Sequence, residues 1–501
     1  MRYNFNRRCF EEQVVNPGKL AIAGSDSDIS WTELEAKVTL LSAMLSDLGV
    51  VPGSPVVIYG HKEHLFPVAM LSCIHAGFTY VPVDKIYPED RVKKILSLTG
   101  AQVLINCTEE PVSYQTAVII DKDLLVTRNS EPTFTERSIT AQDDHLQYIM
   151  FTSGSTGEPK GVQITFNSVK TFYNWASADF GFTAGDVFMN QAPFTFDVSL
   201  CDVLLSFGLG GTLVLSPTEL VKDQDAFLQR LVRYGCTVWT STPSFVFLFL
   251  RNPGFKKEKL AAFHTFLFMG EALPPRTCQQ LYRQFPGARV LNAYGPTEAT
   301  IVTTFVEITP EVVAKYPSLP IGYPMPGSKL LIEKGEGSEN SGELIITGDH
   351  VSIGYFNNTA LNEVKFTEHN GKRAFKTGDL AYYEDGMLFY LGRNDDQVKL
   401  NGFRIELDEI SNVLCTSAEI SDAVTLPLKR GNEVKKLVSF VILSNPDADF
   451  NVKTDLSELL SQKLPYYMIP GDIVVVEDFP YGASHKIDGK KLVEEYVGRI
   501  S

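Results

Sequence analysis

Thr152-Ser-Gly-Ser-Thr-Gly-Glu-Pro-Lys-Gly161 is the stretch on which the reading of this chain turns. Its ten positions hold three glycines, four hydroxyl residues and one lysine. The segment before it, Gln147-Tyr-Ile-Met-Phe151, is apolar and aromatic and predicts a buried strand. From about Thr165 to Phe180 apolar residues recur at helical spacing, with Asn167 and Ser168 as candidate starts. The pattern therefore predicts a glycine-rich turn between a strand and a helix. Such a turn lets the backbone approach an anion, so that its N–H groups and hydroxyls surround phosphate oxygens. Lys160 adds a point charge. The stretch is not a Walker A loop, because the sequence has no G-x-x-x-x-G-K-[ST]. A flexible Gly/Ser surface turn is the plainer alternative, and the Pro-Lys-Gly ending disfavours it.

Working outward, strands and helices alternate on both sides of the loop. Residues 29–49 open with Ser30 and Glu33 at capping-box spacing, followed by leucines at helical intervals. Pro55–Tyr59, Tyr80–Asp84, Gln102–Asn106 and Ala117–Asp121 read as strands, and Leu65–Ala76 as a helix. After the loop, Val187–Asn190, Thr212–Leu215, Thr237–Thr240, Thr265–Phe268 and Arg289–Asn292 read as strands with helices between them. This rhythm predicts an α/β fold with parallel, helix-covered sheets. In such sheets ligands gather at the carboxyl ends of strands. Several of these strands exit into polar or Gly/Pro turns, which points to one shared crevice. From about residue 301 the helices drop out, and Ile301–Glu307, Glu343–Thr347 and Leu388–Arg393 predict a β-rich subdomain. A charged run over 394–410 and a final α+β pattern place a domain boundary near residues 393–397. The expected domains are 1–394 and a small C-terminal domain, 395–501.

With 501 residues the chain exceeds one compact core, which agrees with two domains. A net charge of -15 argues against bulk binding to nucleic acid or to an anionic membrane. No stretch reaches the ~18 apolar residues needed to insert across a bilayer. The N-terminus lacks the apolar core of a signal peptide. Cys9, Cys73, Cys107, Cys201, Cys236, Cys278 and Cys415 are scattered without C-x-x-C spacing, as expected of a cytoplasmic protein.

Four stretches stand together: Thr152–Gly161, Asn292–Glu298, Lys376-Thr-Gly-Asp379, and Gly392-Arg393 through Arg404. With Thr79–Asp84 and Lys486 in His485-Lys-Ile-Asp-Gly-Lys490, this constellation resembles the adenylate-forming superfamily over nearly the whole chain. Asn190–Ser199, Trp239–Phe245 and Thr265–Glu271 resemble the D-alanine–D-alanyl carrier protein ligases most. The resemblance implies a large N-terminal domain and a mobile C-terminal lid. It also implies two steps: ATP and an amino acid give an aminoacyl-adenylate, then a carrier protein's phosphopantetheine thiol takes the aminoacyl group. The partners implied are a small amino acid and a phosphopantetheinylated carrier protein. ATP and Mg²⁺ are the implied cofactors.

By the same resemblance, Thr152, Ser153, Gly154, Ser155, Thr156, Gly157 and Lys160 would hold the β- and γ-phosphates. Thr297 would lie at the α-phosphate, with Gly295 in the same turn, and Glu298 would help hold Mg²⁺. Tyr294 offers a face for adenine, Asn292 a polar edge, and Asp379 and Arg393 contacts to ribose. Asp197 would pair with the substrate ammonium; its other reading is a helix cap. Val198, Cys201, Thr240, Leu267, Met269, Ala293 and Ile301 would line the amino-acid pocket. Lys486 matches the catalytic lysine that bridges the substrate carboxylate and the α-phosphate, and Asp395 the hinge.

The sequence departs from the ligase pattern in three places. Met269 stands where a small cysteine is expected, Ala293 where a threonine is, and Ser484-His485 where Asn-Gly is. A longer side chain at 269 narrows the pocket, so a small amino acid is expected. D-alanine is the first choice, with glycine, L-alanine and L-serine open. A D-alanine ligase would feed D-alanylation of teichoic acids; the others would load a carrier in peptide or polyketide synthesis. An acyl-CoA ligase is disfavoured by Asp197, and a nucleotide-binding scaffold without catalysis by the intact Lys486, Glu298 and Asp379.

Overall fold

The computed structural model describes residues 16, 18–114, 117–122, 145–154, 158–334, 341–395, 397–430, 433–445, 451–480 and 487–500. The readings at Cys9, Ser155, Thr156, Gly157, Ser484, His485 and Lys486 lie outside the described residues. Those described fall into two compact units. The first takes them from Met1–Lys85, Leu96–Phe151 and Gly161–Asn394, the second from Ile86–Ile95, Thr152–Lys160 and Asp395–Ser501.

Two parallel-cored sheets carry the first unit. The larger runs, edge to edge, Tyr323–Pro324, Thr304–Glu307, Arg289–Tyr294, Thr265–Phe268, Val238–Ser241, Val187–Asn190, Thr212–Leu215, Leu20–Ala23 and Asp28–Ser30. Its pairings are parallel from Leu20–Ala23 through Arg289–Tyr294 and antiparallel at both edges. The other orders Val118–Asp121, Val103–Asn106, Pro55–Gly60, Thr79–Asp84, Leu146–Thr152 and Lys160–Thr165. Its first five strands pair in parallel. Near-continuous apolar runs such as Val103–Asn106, buried at every position, are what a sheet covered on both faces requires.

Several helices start at side-chain caps that the sequence supplies. Trp31–Asp47 starts at Ser30, whose hydroxyl accepts from Glu33 N at 3.3 Å while Glu33 Oε2 accepts from Ser30 N at 2.7 Å. Loss of such a cap costs about 1 kcal/mol. An aromatic cluster fills the core behind the larger sheet. Trp239, wholly buried, meets Phe227, Phe245, Phe249, Phe255, Phe263 and Phe266 at centroid distances of 5.1–6.3 Å. An antiparallel sheet of Lys329–Lys334, Ser341–Thr347, Lys372–Glu384, Phe366–His369 and Met387–Arg393 is the β-rich subdomain.

The second unit carries an antiparallel hairpin, Gln397–Leu400 with Phe403–Glu406, and the helix Leu407–Leu414. A sheet of Ile420–Arg430, Glu433–Leu443 and Asp472–Val475 follows in it, with the helices Val452–Lys463 and Gly489–Ile500.

Three readings need correction, and one run gains detail. The glycine-rich loop joins two strands, Leu146–Thr152 and Lys160–Thr165, rather than a strand and a helix. The helix begins after the second strand, at Phe166, capped by the Thr165 hydroxyl accepting from Ser168 N at 3.2 Å, so Asn167 and Ser168 lie inside it. Ile301 is not in a strand; the strand begins at Thr304. The run 394–410 holds a hairpin and a helix start, because Asn401 (φ 52°) and Gly402 (φ 87°) form a tight turn.

Candidate active site

The strand Arg289–Tyr294 ends beside the antiparallel sheet's longest strand. Tyr294 Oη donates to Asp379 Oδ2 at 2.5 Å, and Arg393 Nη1 donates to Asp379 Oδ1 at 2.7 Å. Asp379 and Arg393 are register partners on adjacent strands, so the ladder itself sets their approach. Arg393 Nη2 also reaches the Thr377 carbonyl at 3.2 Å, and Asp379 N donates to Thr377 Oγ1 at 3.0 Å. Burial, then the Asp379 carboxylate, pushes the Tyr294 phenol well above its ordinary range, so it stays a neutral donor. A carboxylate held from both sides keeps lone pairs for two vicinal hydroxyls. Asn292 is buried in the same strand, its Nδ2 donating to the Pro320 carbonyl at 2.8 Å, which leaves Oδ1 as the polar edge.

The chain then turns sharply through Gly295. A Cβ there would lie 2.7 Å from the Ile301 carbonyl oxygen, so only glycine fits. Thr297–Ala299 forms one 3₁₀ turn, which buries Glu298 completely. Glu298 Oε1 accepts from Tyr355 Oη at 2.8 Å. Thr300 (φ 53°) and Ile301 (φ 68°) follow in the left-handed region, which β-branched residues resist. Each costs of order 1–3 kcal/mol, and such strain gathers at functional sites. Among the described residues no group of three or more His, Cys, Asp or Glu could hold a metal. The Glu298 carboxylate is a hard oxygen ligand of the kind that Mg²⁺ takes.

The expected amino-acid pocket comes from neighbouring elements of the larger sheet. Thr240 and Leu267 are register partners, and Met269 follows the end of Thr265–Phe268, its N–H donating to the Ser241 carbonyl at 3.3 Å. Ala293 lies on the next strand. Cys201, Leu267, Met269, Ala293 and Ile301 are buried in one apolar cluster, with Val198 packed against it. Asp197 is the first residue of the helix Asp197–Leu209; the cap is Phe196, so the capping alternative is not what the structure has. Cys201 is one turn on, on the same face. Burial, then the Asp202 and Asp197 carboxylates, pushes its thiol well up, which makes it an inert apolar wall rather than a nucleophile.

In the glycine-rich loop the donors are engaged by carboxylates. Lys160 Nζ donates to Glu406 Oε1 at 2.8 Å, and Gly154 N to Glu409 Oε2 at 2.9 Å. Glu409 Oε1 accepts from Arg91 Nη1 at 2.8 Å, a pair almost wholly buried. Ser153 Oγ donates to the Arg404 carbonyl at 3.0 Å and accepts from Glu406 N at 3.2 Å. A Cβ on Gly154 would lie 1.9 Å from the Glu158 carbonyl oxygen, so glycine is needed there. Thr152 Oγ1 reaches the Lys160 carbonyl at 3.4 Å. Anionic oxygens already sit on the loop's charge and N–H donors, and that donor set therefore fits phosphate oxygens. Asp395 is exposed, and its Oδ1 accepts from Gln397 N at 3.4 Å.

Sequence reasoning missed Arg91, Glu406 and Glu409, which lie 60 or more positions from the loop. It also missed Tyr355, the partner of Glu298. For the hairpin the signal was present, in the dipeptide Asn401-Gly402.

Comparison with known proteins bears on the family and the fold. A family model described as AMP-binding enzyme matches residues 10–356. The D-alanine–D-alanyl carrier protein ligase of Bacillus licheniformis is 37% identical over 489 residues, 96% of this chain and 97% of its own. That of Bacillus cytotoxicus is likewise 37% identical over 489 residues, with coverages of 96% and 97%. A Vibrio cholerae adenylation domain in complex with glycyl-adenosine-5′-phosphate superposes with a TM-score of 0.83 at 22% identity, covering 99% of this chain and 98% of that one. An o-succinylbenzoate CoA synthetase from Bacillus subtilis gives 0.83 at 22% identity, with coverages of 97% and 98%. These two likenesses speak for the fold. The length and identity of the sequence matches go further, and the chain belongs to the AMP-binding enzyme family and, within it, to the D-alanine–D-alanyl carrier protein ligases.

Proposed function

We propose that this chain activates a small amino acid, D-alanine, with ATP and passes it to the phosphopantetheine thiol of a carrier protein. In the first step a carboxylate oxygen of the amino acid attacks the α-phosphorus, the bond to the β-phosphate bridge breaks, and pyrophosphate leaves. In the second, the thiol sulfur, as thiolate, attacks the acyl carbon and AMP departs with the electrons of the C–O bond. Both steps rest on positioning and on holding negative charge.

The observation that carries the amino-acid reading is Asp197 with Cys201. A carboxylate in the first turn of a helix stands one turn from a wholly buried apolar wall. That pairing suits an ammonium group and a small side chain on one carbon. Met269, buried in the same cluster, supports a small substrate.

The remaining roles follow the chemistry of each group. Asp379 and Arg393 hold ribose, Tyr294 and Asn292 border adenine, and Thr297 with Gly295 lies at the α-phosphate. The loop from Thr152 to Lys160 holds the outer phosphates. Mg²⁺ bound at Glu298 would neutralise phosphate charge and favour departure of pyrophosphate. Lys486 bridges the substrate carboxylate and the α-phosphate in the first step. Residues 395–501 act as a lid on residues 1–394, hinged at Asp395, which brings Lys486 in for the first step and Lys399–Arg404 for the second. Free, mostly buried cysteines support a cytoplasmic location.

The test is ATP–pyrophosphate exchange with D-alanine, L-alanine, glycine and L-serine, in wild type and Lys486→Ala. The expected result is exchange best supported by D-alanine and reduced on the order of 10²–10³-fold in the variant. Exchange with none of the four would overturn the proposal. Undiminished exchange in Lys486→Ala would remove that lysine from the mechanism.

A further inference from the structure

A second lysine, far from the phosphate loop in sequence, packs against Phe194, which belongs to the same apolar cluster as the amino-acid wall. Lys62 follows the strand Pro55–Gly60 and is only 1% exposed. Its Nζ donates to Asn190 Oδ1 and to the Ala192 carbonyl, and lies 4.1 Å from the centre of the Phe194 ring. Phe194 in turn stacks on Phe66 with centroids 4.6 Å apart. All three contacts fall on the turn 190–196, which leads from the strand Val187–Asn190 into the helix headed by Asp197. Asn190 continues the chain of bonds, because its Nδ2 donates to the Ser199 carbonyl at 3.2 Å and to Asp202 Oδ2 at 3.1 Å. Lys62 thus grips both ends of the turn: the last residue of the strand and, through Asn190, the first turns of the helix.

A buried ammonium is costly to keep, so it persists where its bonds are worth more than its desolvation. An apolar side chain would pack against Phe194 equally well. What the ammonium adds is direction: it fixes where the 190–196 turn runs and how far the helix head projects.

We propose that Lys62, with Asn190 and Asp202, is a positioning residue for amino-acid recognition, setting the placement of the Asp197 carboxylate that takes the substrate ammonium. This rests on the reading of Asp197 given above. The groups that face Lys62 are Asp84, Asp202 and Glu63. Asp84 is itself bound by His61 Nδ1 at 2.8 Å, which leaves Asp202, through Asn190, as the acid tied to the turn. Burial lowers the Lys62 ammonium and raises the Asp202 carboxyl, each toward neutrality.

The experiment is ATP–pyrophosphate exchange, with KM measured separately for D-alanine and for ATP in wild type, Lys62→Met, Lys62→Gln and Asp197→Asn. Lys62→Met is expected to raise KM for D-alanine at least ten-fold while KM for ATP moves less than two-fold. Lys62→Gln, which keeps an N–H donor, is expected to recover part of the loss. The wild-type KM for D-alanine should vary with pH around neutrality, and Lys62→Met should change that profile, leaving only the part that Asp202 carries. An equal change in both KM values, or a lowered melting temperature with neither KM changed, would make Lys62 purely structural and overturn the proposal. If Lys62→Met does not fold, Asp202→Asn carries the same expectation and the same contrary outcome. Asp197→Asn separates the two claims. If it raises KM for D-alanine and Lys62→Met does not, the Lys62 proposal fails alone. If Asp197→Asn changes nothing, the reading of Asp197 fails, and the Lys62 proposal falls with it.

Discussion

The Asp379 cluster and the glycine-rich loop are the two places proposed to hold the nucleotide, one by its ribose hydroxyls and one by its phosphates, and they are organised in opposite ways. At the first, Tyr294 and Arg393 already point at Asp379 from the two sides, at 2.5 and 2.7 Å, within one sheet ladder. At the second, Lys160 and Gly154 N spend their bonds on Glu406 and Glu409. On the proposed roles, one region is assembled before nucleotide arrives, and the other would exchange two carboxylates for phosphate oxygens. Preorganisation favours tight and specific binding, whereas exchange makes binding reversible and sensitive to competing anions.

The largest effect is expected from breaking the assembled side. Asp379→Asn removes the charge that Arg393 and Tyr294 converge on. Truncating one partner of such a buried pair costs about 2–5 kcal/mol. The expected outcome is a rise in KM for ATP on the order of 10²-fold, which initial-rate kinetics would measure. A rise of less than two-fold would mean the cluster is structural only. Next comes Gly154→Ala, whose Cβ would collide with the Glu158 carbonyl and deform the loop. It is expected to weaken ATP binding roughly ten-fold, with folding of the rest intact by circular dichroism.

A smaller effect, of opposite sign, sharpens the comparison. Glu406→Gln frees Lys160 from a partly exposed ion pair, worth up to about 1 kcal/mol. KM for ATP should fall a few-fold. An unchanged or higher KM would mean that the carboxylate does not compete with phosphate. Glu409→Gln is the wrong variant for this purpose, because it strands the buried Arg91.

The smallest effect concerns pH. Lys62 is lowered by burial to about 7, so above that pH the unfolded chain binds more protons at this site than the folded one. Its contribution to stability therefore rises from about pH 7 toward the ordinary lysine range. Asp202, raised to about 7, works the other way, its contribution falling as pH rises from the ordinary carboxylate range toward 7. The pair is least favourable near neutrality. Urea unfolding of Lys62→Met should lack the rise above pH 7, at most about 1.4 kcal/mol per pH unit.

What the sequence made legible follows from periodicity and from motif chemistry. Buried parallel strands such as Val103–Asn106 are unmistakable apolar runs, and the Ser30/Glu33 cap is a local signature that the structure reproduces. Asp379 and Arg393 were readable because each sits in a short motif, and the ladder then brings them together. Lys160–Thr165 was hidden, because its few apolar residues merge into the helix that follows. Ile301 misled, since its β-branched side chain favours a strand while the turn after Glu298 forces it to φ 68°. The partners of the loop, Glu406 and Glu409, were beyond sequence reading, because pairing across some 250 positions leaves no local trace. Lys62 was passed over for a different reason: a lysine in the polar run Gly60-His-Lys-Glu-His64 looks like surface charge until its burial is known.

The central claim is transfer of D-alanine to a carrier thiol, and intact-protein mass spectrometry of the carrier tests it most directly. The enzyme is incubated with ATP, Mg²⁺, D-alanine and a phosphopantetheinylated D-alanyl carrier protein. The predicted result is a mass gain of one alanyl group on the carrier, reversed by hydroxylamine and absent with the carrier lacking phosphopantetheine. A carrier left unmodified with D-alanine, while another amino acid or a fatty acid is loaded, would contradict the account.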